Sequence, residues 1–216
     1  MNLNLSRSQI PPPEPAIQVV LASQSIGRKL LLEKLGLRFR VIVTHVNEEK
    51  ISDIDPVRKL RRRAMAKTEE IINHQAVYHV SEIAKTLLIT ADSMAIIGKR
   101  TFGKALNRPD AVSMLKSLTG KTHVFATVVI LTLLDQGKVK KRWEKVIKTK
   151  VTLRRMTPVE MESYVARYDF TRFAASYAVN EAPWDVVTKI EGSYTNVIGL
   201  PFEVLLPVLR TLKIIV

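Results

Sequence analysis

A single ionisable residue, Asp92, stands in the otherwise apolar or small-residue run LLITADSMAII, Leu87 to Ile97. Taking an isolated carboxylate out of water is costly, so Asp92 should lie at a strand end and face a cation, a metal ion or water. The plain alternative is a strand-end acid that caps a turn, and this run alone leaves both open. The residues that follow, GKRTFGKA, add a lysine. A three-residue turn at Gly98, Lys99 and Arg100 would pair Met94 with Lys104 and carry the Lys104 ammonium to the face of Asp92. A two-residue turn would send it to the opposite face. An acid and a lysine presented together in a basic chain suit metal binding with neutralisation of a phosphate.

A second candidate is ASQSIGRK, residues 22–29, which follows a strand-like run and opens a helical one. It would place Ser23, Ser25 and free backbone N–H groups at the positive end of a helix, where anions bind, with Arg28 as a bidentate phosphate donor. A serine-capped helix with an exposed arginine explains the same spacing. GSYTNVIGLP, residues 192–201, is small, polar and turn-forming, and could shape a pocket floor or serve as a connection. His45, His74, His79 and His123 have no zinc-ligand spacing. Neither a P-loop nor a GxGxxG pattern occurs.

The elements that must hold these residues follow from periodicity. IQVVLA (17–22), FRVIVTHV (39–46) and TLLITADSMAII (86–97) read as strands, and THVFATVVILTLL and RWEKVIKTKVTLRR as two long strands joined at DQGK. Helices are expected after Ser25 with Gly36 near the end, from Asp55-Pro56 to about Glu82, over RPDAVSMLKSL with Gly120 as the stop, and over TPVEMESYVARY. The last has Thr157 as N-cap, Pro158 in the first turn and Glu160 at the third helical position. GSYTNVIGLPFEVLLPVLRTL turns into terminal helices. The alternation predicts an α/β fold whose mixed sheet includes an antiparallel hairpin.

The chain has 216 residues, 46% hydrophobic and 25% charged, the composition of a folded domain. It has no cysteine, which excludes disulfides, thiolate metal sites and a cysteine nucleophile. Residues 1–15, polar and then proline-rich, are expected to form a flexible tail, and residues 16–216 one domain. The longest apolar run, near FATVVILTLL, falls far short of the roughly 20 residues that span a bilayer, so no membrane partner is expected and a cytoplasmic location is. Lys plus Arg exceed Asp plus Glu by 34 to 20, a net charge of +14, concentrated in residues 58–67 and 138–150. Such a balance favours polyanionic partners, including nucleic acid, although a solvated basic face is the simpler account of either cluster.

Taken in order, LASQSIGRKLLLEKLGL, VTHVNEE, AMAKTEEI, ITADSMAIIGKRTFGKA, AVSMLKSLTGKTHVF, YVARYDF with SYAVNE, and KIEGSYTNVIGLP resemble the Maf family of nucleoside triphosphate pyrophosphatases. The likeness runs from about Leu21 to Leu209. It implies a mixed twisted sheet with helices on both sides and two lobes flanking a central cleft, often in a homodimer. It also implies hydrolysis of a nucleoside triphosphate between the α and β phosphates, with a divalent metal such as Mg²⁺ or Mn²⁺. The family is linked to removal of modified nucleotides and to arrest of cell division.

By position, the resemblance puts Ser23 and Arg28 where the family's first loop holds the phosphates. Glu48 falls at the acid after the second strand and Lys67 at the helix lysine. Asp92 matches the acid that serves as metal ligand or base, Lys104 the lysine of a GKP motif, and Asn180 a glutamine that reads the base. Glu48 and Asp92 would hold the metal; Arg28, Lys67 and Lys104 would neutralise the phosphates. Three departures stand out: SPRR is Ser25-Ile26-Gly27-Arg28, GKP is Gly103-Lys104-Ala105, and AGAYGIQG reads AASYAVNE, with Glu181 in place of a glycine. The ending resembles the branch that acts on dTTP and UTP. A weakened nucleotide-binding relative and a basic nucleic-acid binder are the other readings.

Overall fold

The two longest apolar runs of the chain form the middle of a seven-stranded mixed sheet in a computed structural model that describes residues 17–80, 85–169, 172–181 and 186–216. The tail expected over residues 1–15 lies outside the described residues. The strands are β1 (Ile17–Ala22), β2 (Phe39–Ile42), β3 (Lys85–Ile97), β4 (Arg100–Phe102), β5 (Thr122–Asp135), β6 (Lys138–Leu153) and β7 (Val187–Glu191). They lie in the order β2-β1-β3-β5-β6-β7, with β4 paired to β3 outside that path. The β1 strand runs parallel to β2 and β3, whereas the β3–β5, β5–β6 and β6–β7 pairs are antiparallel. Nearly every residue of β3 is buried, as expected of a strand covered on both faces.

The helices are α1 (Ile26–Lys34), α2 (Pro56–Asn73), α3 (Arg108–Leu118), α4 (Pro158–Arg167), α5 (Tyr194–Ile198) and α6 (Phe202–Thr211). Period-2 alternation divides the sheet between them. Val19, Leu21, Leu87, Ile89 and Leu131 face α1 and α6. Met94, Ala126, Val128 and Ile130 face Leu60 and Ala64 of α2. The α3 and α4 helices pack with Ala95, Phe125, Val151 and Leu153 at the far end of β3 and β5.

The helix signals hold where capping chemistry is explicit. Thr157 and Glu160 form the reciprocal capping box at α4, and Asp55 with Pro56 opens α2. Boundaries are shorter than the pattern suggests. The α2 helix stops at Asn73 rather than near Glu82, because the chain folds into a turn in which the Gln75 side chain binds the carbonyls of Ile72 and Gly137. The β2 strand ends at Ile42, four residues before the end of the FRVIVTHV run.

The β3–β4 turn also differs from the expectation that linked Asp92 to Lys104. Ile97 pairs with Arg100 and Ile96 with Thr101, so the turn has two residues, Gly98 and Lys99, with Gly98 at φ 58°. A tight turn with positive φ matches the right-handed twist of a hairpin better than the longer loop. Register therefore cannot bring Lys104 to Asp92. The β4 strand ends at Phe102, and Lys104 leaves the hairpin to form a bridge with Ala174.

One close approach sets the position of α5. A Cβ on Gly27, in the first turn of α1, would lie 2.6 Å from the Ile198 carbonyl oxygen at the end of α5. Gly27→Ala must push the two helices apart, so a loss of about 1–3 kcal/mol is expected. Denaturant unfolding checks this: the midpoint should fall with an unchanged slope.

Candidate active site

Asp92 lies inside β3, paired with Val128, and not at a strand end as expected; it stands just beyond the point where the parallel part of the sheet ends. The last β1–β3 pair is Ala22 with Thr90, and β3 continues for seven more residues, 91–97, paired to β5 and then β4. The loops after β1 and β2 leave the sheet on the side of their carboxyl ends, which is where open α/β sheets form crevices. A cavity of about 830 Å³ opens there, lined by both loops, α2, β3, the segment after β4 and residues 172–180.

Alternation along β3 turns Asp92 to the α2 face, and the helical period turns Lys67 towards it. Leu60, Ala64, Lys67, Thr68 and Ile71 are the buried stripe of α2, so Lys67 sits inside an otherwise uncharged row. Its Nζ lies 3.4 Å from Asp92 Oδ1, 2.9 Å from Glu48 Oε1 and 3.4 Å from the Ala91 carbonyl. Glu48 opens a short 3₁₀ turn, Glu48–Lys50, capped by Asn47. One ammonium thus holds two carboxylates from different elements. Asp92 is 7% exposed, and its Oδ2 has no hydrogen-bond partner among the described residues.

Environment pushes the two acids apart. Burial raises the Asp92 pKa, and Glu48 adds to the rise; Lys67, Arg28 and Arg63 pull it down without cancelling it. Burial also acts to raise Glu48, but Lys67 and then Arg63 and Arg28 outweigh it and hold its carboxyl below the ordinary value. Two carboxylates separated in this way can take different roles at one pH. The Lys104 pKa is lowered, first by burial and then by the charges of Arg28 and Lys67.

Arg28 is built differently from the phosphate donor that the first loop suggested. It is 6% exposed. Its Nε donates to Gly199 O at 2.8 Å, Nη1 to Ser23 Oγ at 2.8 Å and Ala91 O at 3.0 Å, and Nη2 to Ser93 Oγ at 2.9 Å. Four of the five N–H groups of a guanidinium are therefore engaged by the protein itself. Arg28 ties α1 to the first loop, to β3 and to the end of α5. Ser93 extends the network through Thr127 Oγ1, which donates to the Asn196 carbonyl.

All the sequence-derived candidates line this one cavity. Ser23 and Ser25 edge it from the first loop, Ser23 accepting the Ser25 N–H and Ser25 capping α1. Lys104 reaches it from the segment after β4, and Asn180 from the opposite wall. That wall contains Ala175 and Ser176, both buried and at φ 60° and 61°, a conformation that non-glycine residues rarely adopt and that clusters at functional sites. Arg63 was not among the candidates. It lines the cavity with Nη1 4.0 Å from Asp92 Oδ2, and its signal was a place four residues before Lys67 within a run read only as a basic cluster. The 58–67 cluster is thus divided: Lys59, Arg63 and Lys67 line the cavity, whereas Arg58 and Arg62 pair with Asp53 outside it.

Two outcomes follow. Arg28→Lys keeps the charge but cannot reach all four acceptors, so it should cost about 2–4 kcal/mol and lower the melting point by roughly 5–15 °C, with or without nucleotide. Asp92→Asn should behave in the opposite sense. A carboxyl with a raised folded-state pKa costs stability while ionised, and the cost is relieved as pH falls through that pKa. The variant should therefore melt at or above the parent near pH 7, with the difference closing on acidification.

Comparison with known proteins finds relatives along nearly the whole chain. The dTTP/UTP pyrophosphatase of Treponema denticola is 29% identical over 200 residues, 89% of this chain and 96% of its own. The dTTP/UTP pyrophosphatases of Geobacter sp. (strain M21) and Syntrophus aciditrophicus (strain SB) are 32% identical over 195 residues and 33% over 196, covering 90% and 91% of this chain and 95% and 89% of theirs. A solved nucleoside-triphosphatase (dITP/XTP pyrophosphatase) from Mycobacterium abscessus aligns over 90% of this chain and 97% of its own at 12% identity and a TM-score of 0.39, too slight a likeness to bear on function. The family model for Maf-like proteins matches residues 18–212, and the chain belongs to that family.

Proposed function

We propose that this protein is a nucleoside triphosphate pyrophosphatase that hydrolyses dTTP, UTP or their modified forms to the monophosphate and pyrophosphate. The observation that supports it most is the Lys67 ammonium shared by Asp92 and Glu48 at the floor of a cavity lined with further cations. The curated relatives carry the pyrophosphatase name over nearly their whole length.

Phosphoanhydride cleavage needs little covalent chemistry from a protein: oriented water, charge neutralisation and a proton acceptor. Asp92 has the burial and the raised pKa of a general base, and Lys67 keeps its carboxylate oriented towards the cavity. Lys104, its pKa lowered by burial, lines the same cavity and would neutralise phosphate charge there. Asn180 stands on the wall where a base would lie.

A divalent ion fits this donor set. Glu48 and Asp92 both hold the Lys67 ammonium, and Asp92 Oδ2 is a buried acceptor with no hydrogen-bond partner among the described residues, so an ion would be held at that oxygen beside Lys67. Among the described residues no third Asp, Glu or His joins them, which suits Mg²⁺ or Mn²⁺ held by two carboxylates together with substrate oxygens. Such an ion, when bound, supplies positive charge to the phosphate oxygens. A homodimer and a cytoplasmic location belong to the same proposal; no helix among the described residues is long and apolar enough to cross a membrane.

The test is product identification with dTTP and UTP in the presence of Mg²⁺ or Mn²⁺. Monophosphate and pyrophosphate should appear in equal amounts, and Asp92→Asn should lower kcat by about 10²- to 10⁴-fold while staying folded. Orthophosphate as the product, or no turnover with saturable nucleotide binding, would contradict the proposal.

A further inference from the structure

We infer that Arg63 is the guanidinium that binds the substrate's phosphates, at the centre of a cationic row on α2 formed by Lys59, Arg63 and Lys67. The inference rests on the pyrophosphatase reading and adds to it a phosphate-binding residue outside the first loop.

Residues four apart on a helix stand one above the other. Lys59, Arg63 and Lys67 are spaced in this way, and all three line the cavity. Lys67 is at the floor, engaged by both carboxylates. Lys59 is one turn above Arg63, towards the helix N-terminus. Arg63 lies between them with its side chain only 16% exposed.

Two features set Arg63 apart from an arginine that merely balances Asp92. Its Nη1 stands 4.0 Å from Asp92 Oδ2, beyond hydrogen-bond reach, and that oxygen has no hydrogen-bond partner among the described residues. Its own Nε is buried with no acceptor among the described residues. Two complementary buried atoms in one site, neither with a hydrogen-bond partner among the described residues, call for an explanation in function. A structural arginine looks different here: Arg28, on α1, donates to four protein acceptors.

That contrast also decides which arginine the substrate meets. The first loop has one arginine, whose N–H groups are committed to Ser23, Ala91, Ser93 and Gly199. Gly27 beside it has no room even for a Cβ against Ile198. A planar, bidentate phosphate donor must therefore come from another element, and Arg63 is the cavity arginine next to the two carboxylates. Arg172, on the opposite wall, is paired with Glu181 at 3.5 Å.

Binding of inorganic triphosphate and of dTMP to the full chain, by calorimetry, separates the possibilities. Arg63→Gln should weaken triphosphate binding by about 10- to 100-fold, the scale of losing charge-assisted hydrogen bonds, and leave dTMP within about 3-fold. Arg63→Lys should recover part of the loss, because charge without the fork restores only part of the recognition. In turnover the Gln variant should raise KM for dTTP more than it lowers kcat. Lys59→Gln, on a partly exposed residue that tolerates change, should give a smaller rise in the same direction and keeps the test open if Arg63→Gln fails to fold. Unchanged triphosphate affinity in the variants, with only the acid limb of kcat moved, would overturn the inference and leave Arg63 as a charge partner of Asp92. If the unaltered protein itself bound no triphosphate, the pyrophosphatase reading would fall first.

Discussion

The site depends on one ammonium. Lys67 lies inside the otherwise uncharged stripe of α2 and meets Asp92 from β3, Glu48 from the loop after β2 and the Ala91 carbonyl. Without it the buried Asp92 carboxylate would face the partly exposed Glu48 carboxylate with no ammonium between them, which costs stability. With it, the acids stay in one site but in unequal states, Asp92 shifted up by burial and Glu48 held down by the cation. An ion pair of this kind adds little net stability. What it contributes is chemistry: a poised acceptor in a cavity large enough for a nucleotide.

Arg28 does for the backbone what Lys67 does for the charges. Its four bonds fasten the first loop, β3 and the end of α5 around the cavity. The close contact of Gly27 with Ile198 and the Ser93–Thr127–Asn196 network extend the same frame. The opposite wall is made by the segment around Ala175 and Ser176, whose left-handed backbone is secured by the Ala175 N–H on Gly103 O at 2.7 Å and by the Lys104–Ala174 bridge. One rigid wall and one strained wall therefore enclose the acids.

Much of this was legible in the residues. An acid in an apolar strand was expected to face a cation, a metal ion or water, and Asp92 lies beside the Lys67 ammonium. Alternation and capping signals placed the strands and most helices, because those patterns report directly on which face is buried. What was illegible depends on distances between elements. Whether the turn after β3 has two residues or three changes the side of Lys104, and the run GKR permits both. A serine-capped loop with an arginine reads as an anion site or as a capped helix with an exposed arginine, and the positions of Gly199, Ala91 and Ser93 show instead a buried Arg28 with four N–H groups engaged. Arg63 was hidden in a run of five cations between residues 58 and 63, where charge says nothing about direction; its helical phase relative to Lys67 selects it.

The most direct test of this account is the titration of the Asp92 carboxyl by carbon NMR in metal-free protein, with Asp92→Asn for assignment. The account predicts a midpoint above the ordinary aspartate value of about 3.9 and above that of Glu48, moving further up when Lys67 is replaced by Met. A midpoint at or below the ordinary value, unmoved by loss of Lys67, would contradict it.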